Sequence, residues 1–232
     1  MLLPTAYTDI VTLLTCRLTK CFFLNLSFRT SEKTPLMSVV LHGPMNSGTT
    51  AVSAKVAVDS GSPFVHMISA NDMIGYSDSS KSQIIHKAFL DSYKSPLLLI
   101  FIDDIERIIE YVPIGLLQTL LVLLKKVPPD QGPRLLVIGT TSWPHFLEEL
   151  GLAQAFSLTQ SVLLFEEPSQ ITEVLRMAGH MNEHDATSIA RAITKPIGMK
   201  HLLMVAEMAR QGSDGVTVDT NVFMERLHTV GY

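Results

Sequence analysis

Residues 36–58 read LMSVVLHGPMNSGTTAVSAKVAV. Met37–Leu41 is a short apolar run of the kind that forms a buried strand. His42–Gly48 follows as a turn-rich loop. Thr49–Val58 then places Ala51, Val52, Ala54, Val56 and Ala57 at helical spacing, which suits a helix packed on a sheet. A strand, a glycine-bounded loop and a helix in that order are what a phosphate-binding loop requires. Gly43 and Gly48 would let the backbone of Pro44, Met45, Asn46 and Ser47 curl, turning its N–H groups toward a phosphate. The helix N-terminus adds the positive end of its dipole. Thr50 would offer its hydroxyl to Mg²⁺.

The pattern G-x-x-x-x-G-K-[ST] asks for lysine where this chain has Thr49. That lysine sets a full positive charge against the β- and γ-phosphates of a nucleotide. At about 4 Å and an effective dielectric near 20, such a pair is worth about 4 kcal/mol before desolvation. Its loss costs roughly two to three powers of ten in affinity. Thr49 donates a hydrogen bond but carries no charge. The plain alternative is a Gly/Ser-rich strand-to-helix turn with no ligand.

A second motif bears on that alternative. Leu97–Ile102 is an unbroken apolar run, the mark of a central parallel strand covered on both faces, and it ends in Asp103-Asp104. Acids at the end of a buried strand are costly unless partnered. In a nucleotide site Asp103 would hold Mg²⁺ and Asp104 would orient or deprotonate the attacking water. The competing reading makes Asp104 the N-cap of a helix beginning Ile105-Glu106-Arg107. Thr140 and Thr141 follow the apolar run Leu135–Ile138, where a hydroxyl would reach a terminal phosphate or its attacking water. Threonines in that position also commonly cap the next helix.

The remaining periodicity predicts strands at Phe64–Ile68 and Ser161–Phe165, with helices at Ser79–Tyr93 and Leu116–Val127. Strands alternating with helices imply an α/β fold, a parallel sheet flanked by helices. After Pro168 only helices are expected: Gln170–Ala178, Glu183–Ala192, Met199–Arg210 and Val222–Thr229. The expected organisation is a divergent, poorly ordered segment 1–34, an α/β core 35–166 and a small helical subdomain 167–232.

Composition narrows the function classes. Hydrophobic residues make up 47% of the 232, enough for a sizeable core. A net charge of −4 argues against a nucleic-acid binder, which shows a basic excess. No apolar run approaches the roughly 20 residues a membrane-spanning helix needs. Arg17 and Lys20 interrupt the apolar N-terminal stretch, so it does not read as a secretory signal. Two cysteines, Cys16 and Cys21, exclude a disulfide scaffold, and a reducing, cytoplasmic setting is the default.

Loop, acids and threonines together resemble an AAA+ ATPase module. More specifically, Met73-Ile74-Gly75-Tyr76-Ser77, Ala88–Ser95, Asp103–Arg107, Tyr111–Gly115, Leu121–Lys126 and Ile138–Ser142 resemble the second ATPase domain of the vesicle-fusing ATPases, the N-ethylmaleimide-sensitive factor family. Lys200–Met204 with Glu207-Met208 is similar to the helical subdomain of that domain. The resemblance runs from about Thr30 to Tyr232 and leaves out residues 1–28. It implies ATP and Mg²⁺ as cofactors, a hexameric ring of identical chains, SNAP adaptors and SNARE complexes as partners, and SNARE disassembly in membrane traffic. It implies a cytoplasmic location, peripheral to Golgi or vesicle membranes. By the same resemblance Lys200 approaches the phosphates, Met73–Tyr76 occupies the pore-loop position, and Asp104 in place of glutamate goes with slow hydrolysis.

Three departures from the family are legible. Thr49 replaces the loop lysine, Gly115 runs directly into Leu116 where the family has several more residues, and no arginine follows Thr140-Thr141-Ser142. These departures favour weak nucleotide binding, with a non-catalytic oligomerisation module as the rival reading. The length matches one ATPase module. His180 and His184 read as surface residues in preference to a metal pair, and Trp143 as a core residue.

Overall fold

The computed structural model describes residues 35–94, 97–109, 114–126, 134–178, 181–211 and 218–232. The segment 1–34, His180 and the end of the predicted helix at Val127 lie outside them. Two compact units are present. One contains residues 35–43 and Thr49–Val162, and the other contains Pro44–Gly48 and Leu163–Tyr232.

The first unit is built on five parallel strands in the order β2-β3-β4-β1-β5. They are β1 (Leu36–His42), β2 (Phe64–Ile68), β3 (Leu97–Ile102), β4 (Arg134–Thr141) and β5 (Leu158–Ser161). The helices α1 (Thr49–Asp59), α2 (Asp78–Ser92), α3 (Ile105–Ile109), α4 (Ile114–Leu123) and α5 (Pro144–Glu149) connect them. The apolar run of β3 is buried almost throughout because it lies between β2 and β4 with helices on both faces. Leu98, Ile100 and Ile102 point into a core shared with Ile85 and Phe89 of α2, Ile105 and Ile108 of α3, and Leu116 and Leu120 of α4. The alternate residues Leu99 and Phe101 are buried on the opposite face, where α1 packs over β1, β3 and β4.

Two predicted strand limits are corrected. β4 runs through Thr141, three residues beyond Ile138, because Leu41 pairs with Thr140 and His42 with Thr141. The last strand is Leu158–Ser161, upstream of the predicted Ser161–Phe165. It is an edge strand with one neighbour, β1, so the polar sequence LTQS serves where an apolar run was expected. Phe165 instead forms an isolated antiparallel bridge with Ile197 in the second unit.

The second unit contains α6 (Pro168–Met177), α7 (Glu183–Ala192), α8 (Met199–Gln211) and α9 (Thr220–Thr229). Three of them, α6, α7 and α9, begin on a recognisable signal. Pro168 opens α6 at a position where its missing N–H costs nothing. Asn182 caps α7 by accepting from Asp185 N–H at 2.8 Å, and Asp219 caps α9 by accepting from Asn221 N–H at 2.7 Å. Met199, Leu202, Val205, Ala206 and Ala209 form the buried stripe of α8, and Phe223 of α9 is fully buried. No helix among the described residues is long and apolar enough to cross a membrane.

Candidate functional site

In the first unit the strand ends assemble a hydroxyl and carboxylate array. The parallel register carries Asp103 and Asp104 past the end of β3, beside Thr140 near the end of β4. Thr50, in the first turn of α1, donates its hydroxyl to Asp103 Oδ1 at 2.9 Å. Thr140 donates to the same oxygen at 2.8 Å, and its own Oγ1 accepts the Asp104 N–H at 2.9 Å. One carboxylate oxygen is thus shared by two hydroxyls drawn from positions 53 and 37 residues away.

Asp104 occupies the left-handed region at φ 49°, uncommon for a residue with a side chain. Its carbonyl accepts the Arg107 N–H at 2.9 Å, starting α3, and its Oδ2 lies 3.3 Å from Arg107 Nε. The side chain therefore has a cationic partner at the place where a general base would stand. Gly43 donates its N–H to Thr141 carbonyl oxygen at 3.2 Å, tying the end of β1 to β4. The Thr141 side chain is 1% exposed and accepts the Trp143 N–H at 3.0 Å. Its hydroxyl is thereby used inside the turn after β4.

One feature here went unread in the sequence and a second was read differently. Glu106 is only 6% exposed, and its Oε1 accepts the Ser142 N–H at 2.7 Å. Its Oε2 is buried with no hydrogen-bond partner among the described residues. The signal was present: an acid two residues beyond Asp104 falls in the first turn of a helix whose other residues are mostly isoleucine. Trp143 is the second, and here the expectation of core packing is corrected. The ring is 54% exposed and meets Phe146 edge-to-face at 6.4 Å. Pro144 starts α5 immediately after it, and that turn directs the indole outward.

In the second unit the loop Pro44–Gly48 meets the start of α8. Asn46 has φ 68° and Gly48 φ 99°, so two of five loop residues are left-handed. The Asn46 carbonyl accepts the Lys200 N–H at 3.1 Å. Gly198 has no room for a side chain, since a Cβ there would lie 2.5 Å from Asn46 O. Pro44 and Met45 are exposed, while Ser47 is buried. Lys200 is exposed and stands one residue inside α8. Thr49 is the first residue of α1. In the first unit, Ile74 and Tyr76 are exposed on either side of Gly75, which has φ 83°.

Among the described residues no cluster of three or more His, Cys, Asp or Glu side chains is arranged to hold a metal. His184 is exposed, its Nδ1 3.4 Å from Asp185 Oδ1. The hard oxygen donors of Thr50 and Asp103 are the type Mg²⁺ takes, one hydroxyl and one carboxylate beside a phosphate ligand.

Residues 39–162 match the model of the ATPase family associated with various cellular activities (AAA). The chain is 42% identical to the vesicle-fusing ATPase of Arabidopsis thaliana over 193 residues, 81% of this chain and 26% of that protein. It is 42% identical to the vesicle-fusing ATPase of Dictyostelium discoideum over 187 residues, 78% and 25% of the two chains. The vesicular-fusion protein sec18 of Schizosaccharomyces pombe is 40% identical over 207 residues, 82% and 26%. The chain therefore spans about a quarter of the length of these relatives.

Two outcomes test this geometry. Thr140→Val removes the shared hydroxyl at nearly constant volume and strands the Asp104 N–H. Stability falls by about 1–3 kcal/mol, read as a lower urea midpoint. A midpoint unchanged from the parent contradicts the array. His42, at the end of β1, has its pKa lowered from 6.5 by burial, partly opposed by the Glu148 carboxylate. The unfolded chain then takes up the proton first as pH falls. Stability from this group is full above pH 6.5 and is lost as pH drops through the depressed folded value. His42→Gln flattens that part of the urea-midpoint profile between pH 7.5 and 5. An unaltered slope excludes His42 as its source.

Proposed function

The chain belongs to the AAA family of ATPases, and on that premise we propose that it is a nucleotide-binding module that takes ATP with Mg²⁺, weakly, at the loop Gly43–Thr50. The observation that carries this reading is the Asp103 carboxylate held by the Thr50 and Thr140 hydroxyls at 2.9 and 2.8 Å. A strand-end acid grouped with hydroxyls from two other elements gathers the hard oxygen donors that Mg²⁺ beside a phosphate takes. In this reading Gly43, Pro44, Met45, Asn46, Ser47, Gly48 and Thr49 form the phosphate cradle. Thr50 and Asp103 hold the metal, which would neutralise phosphate charge. Lys200 adds a charged contact, whereas Thr141, expected beside it, is buried with its hydroxyl accepting the Trp143 N–H.

Hydrolysis by this chain is slow or absent in the same reading. Thr49 brings no charge to the phosphates. Asp104, the candidate base, has its Oδ2 3.3 Å from Arg107 Nε, so its carboxylate is engaged by that guanidinium. Thr140, the candidate for orienting the attacking water, donates its hydroxyl to Asp103. The similarity to vesicle-fusing ATPases and vesicular-fusion proteins supports a role in membrane traffic through ring assembly. SNAP adaptors and SNARE complexes are the partners this role implies, and cytoplasmic, Golgi or vesicle surfaces the place. The chain spans about a quarter of the length of those relatives, and the part of that role proposed for it is the nucleotide module's. The rival reading, an oligomerisation module without nucleotide, is favoured by Thr49 and the Asp104–Arg107 pair.

Thr49→Lys separates the two. Calorimetric titration with Mg·ATP should show a gain of about 100- to 1,000-fold in affinity over the parent, the size of the missing charge. If neither protein binds at millimolar nucleotide, the nucleotide reading falls and the interaction module remains.

A further inference from the structure

Four consecutive residues at the start of α8 engage the loop 44–48 within the second unit. A side chain on Gly198 would collide with Asn46 O, and one on Gly48 would lie 2.6 Å from Met199 Cε. Lys200 donates its backbone N–H to Asn46 O at 3.1 Å. His201 then reaches Asn46 by its side chain, with Asn46 Nδ2 3.2 Å from His201 Nε2. The opposite ring nitrogen, Nδ1, is 3.1 Å from the Tyr232 hydroxyl. The two rings also meet edge-to-face at 5.6 Å and 70°. Asn46 is thus held by its carbonyl and its amide, and it is the loop's non-glycine residue at positive φ.

That combination has a physical reading. A left-handed asparagine is disfavoured in a free loop and persists where surrounding contacts over-determine it. Here the contacts come from a chain of side chains, Tyr232 to His201 to Asn46. With the Asn46 amide donating, Nε2 is the acceptor and the neutral ring carries its proton on Nδ1, which donates to the Tyr232 oxygen. Tyr232 thereby fixes the tautomer and the rotation of the imidazole. The imidazole in turn fixes the amide of the strained loop residue.

We propose that His201 is a positioning residue which, backed by Tyr232, holds the loop 44–48 in one backbone conformation and so sets its affinity for the phosphates of a nucleotide. The proposal rests on the nucleotide reading given above and adds to it a residue that touches no nucleotide. A loop ordered before binding loses less freedom on binding, so the relay acts on affinity through order in the free protein. Lys200 differs, because its side chain would act on a phosphate directly, while its backbone N–H serves the loop.

The test combines two measurements on the full chain. Amide hydrogen exchange reads the order of the free loop, and calorimetric titration with Mg·ATP reads affinity. His201→Ala should speed exchange at Ser47, Gly48 and Lys200 at least fivefold and weaken ATP by a similar factor. Tyr232→Phe keeps the ring contact and removes only the hydroxyl, so the fold is spared if His201→Ala proves unstable. It should speed the same amides about two- to threefold. Lys200→Ala should weaken ATP without speeding loop exchange. In the parent, ¹⁵N spectra should show the His201 proton on Nδ1, shifting toward Nε2 in Tyr232→Phe.

Loop exchange unchanged in both His201→Ala and Tyr232→Phe overturns the relay. Weaker ATP binding in His201→Ala with unchanged exchange makes His201 a ligand and overturns the positioning role. Faster loop exchange together with no ATP binding by the parent leaves the relay as a structural latch. That outcome overturns its role in nucleotide affinity along with the nucleotide reading.

Discussion

One shared oxygen, Asp103 Oδ1, fixes the arrangement of the α/β unit at its functional end. It accepts from Thr50 in α1 and from Thr140 in β4, while Asp103 itself ends β3. Three elements converge on that atom. The parallel register of β3 on β4 sets the acid and the threonine at the same level, and the loop after β1 delivers Thr50 to them. Charge-assisted hydrogen bonds of this kind are about twice as strong as neutral ones. They let a carboxylate sit at the end of a strand that is itself wholly apolar and almost fully buried. Removing either hydroxyl leaves the acid under-satisfied at a part-buried position.

The same economy explains the backbone of Asp104. Its N–H is taken by Thr140 and its carbonyl starts α3, so the chain must turn sharply between them. The left-handed φ of 49° results, and it directs the side chain toward Arg107. An acid pair that would divide the work of metal holding and proton transfer is here divided differently. The first acid is bound by hydroxyls and the second is paired with a cation. This arrangement fits a module that binds nucleotide more readily than it hydrolyses it, and Thr49 at the lysine position of the loop points the same way.

Much of the fold was legible because its signals are local. LLLIFI reads as a doubly covered strand by composition alone, and β2 and β3 lie where periodicity placed them. The helices of the second unit follow their caps and their apolar stripes. The errors fall where the partner decides. Gly139-Thr140-Thr141 looks like a turn, yet pairing with β1 makes it strand. LTQS looks like a loop, yet an edge strand needs only one neighbour. Thr50, Asp103 and Thr140 were legible as residue types in motif order. Their shared hydrogen bonds were not, nor was the buried Glu106 beneath Ser142. Asn46 and His201 lie 155 residues apart, and no spacing rule connects an asparagine in a loop to a histidine in a helix.

The central claim is that the Thr50–Asp103–Thr140 array serves a magnesium nucleotide. Calorimetric titration of the unaltered chain with ATP, with and without Mg²⁺, tests it most directly. The account predicts weak, saturable binding with Mg²⁺ present that weakens at least tenfold when the metal is withheld. Binding equally strong without Mg²⁺, or no heat at millimolar nucleotide, would contradict it.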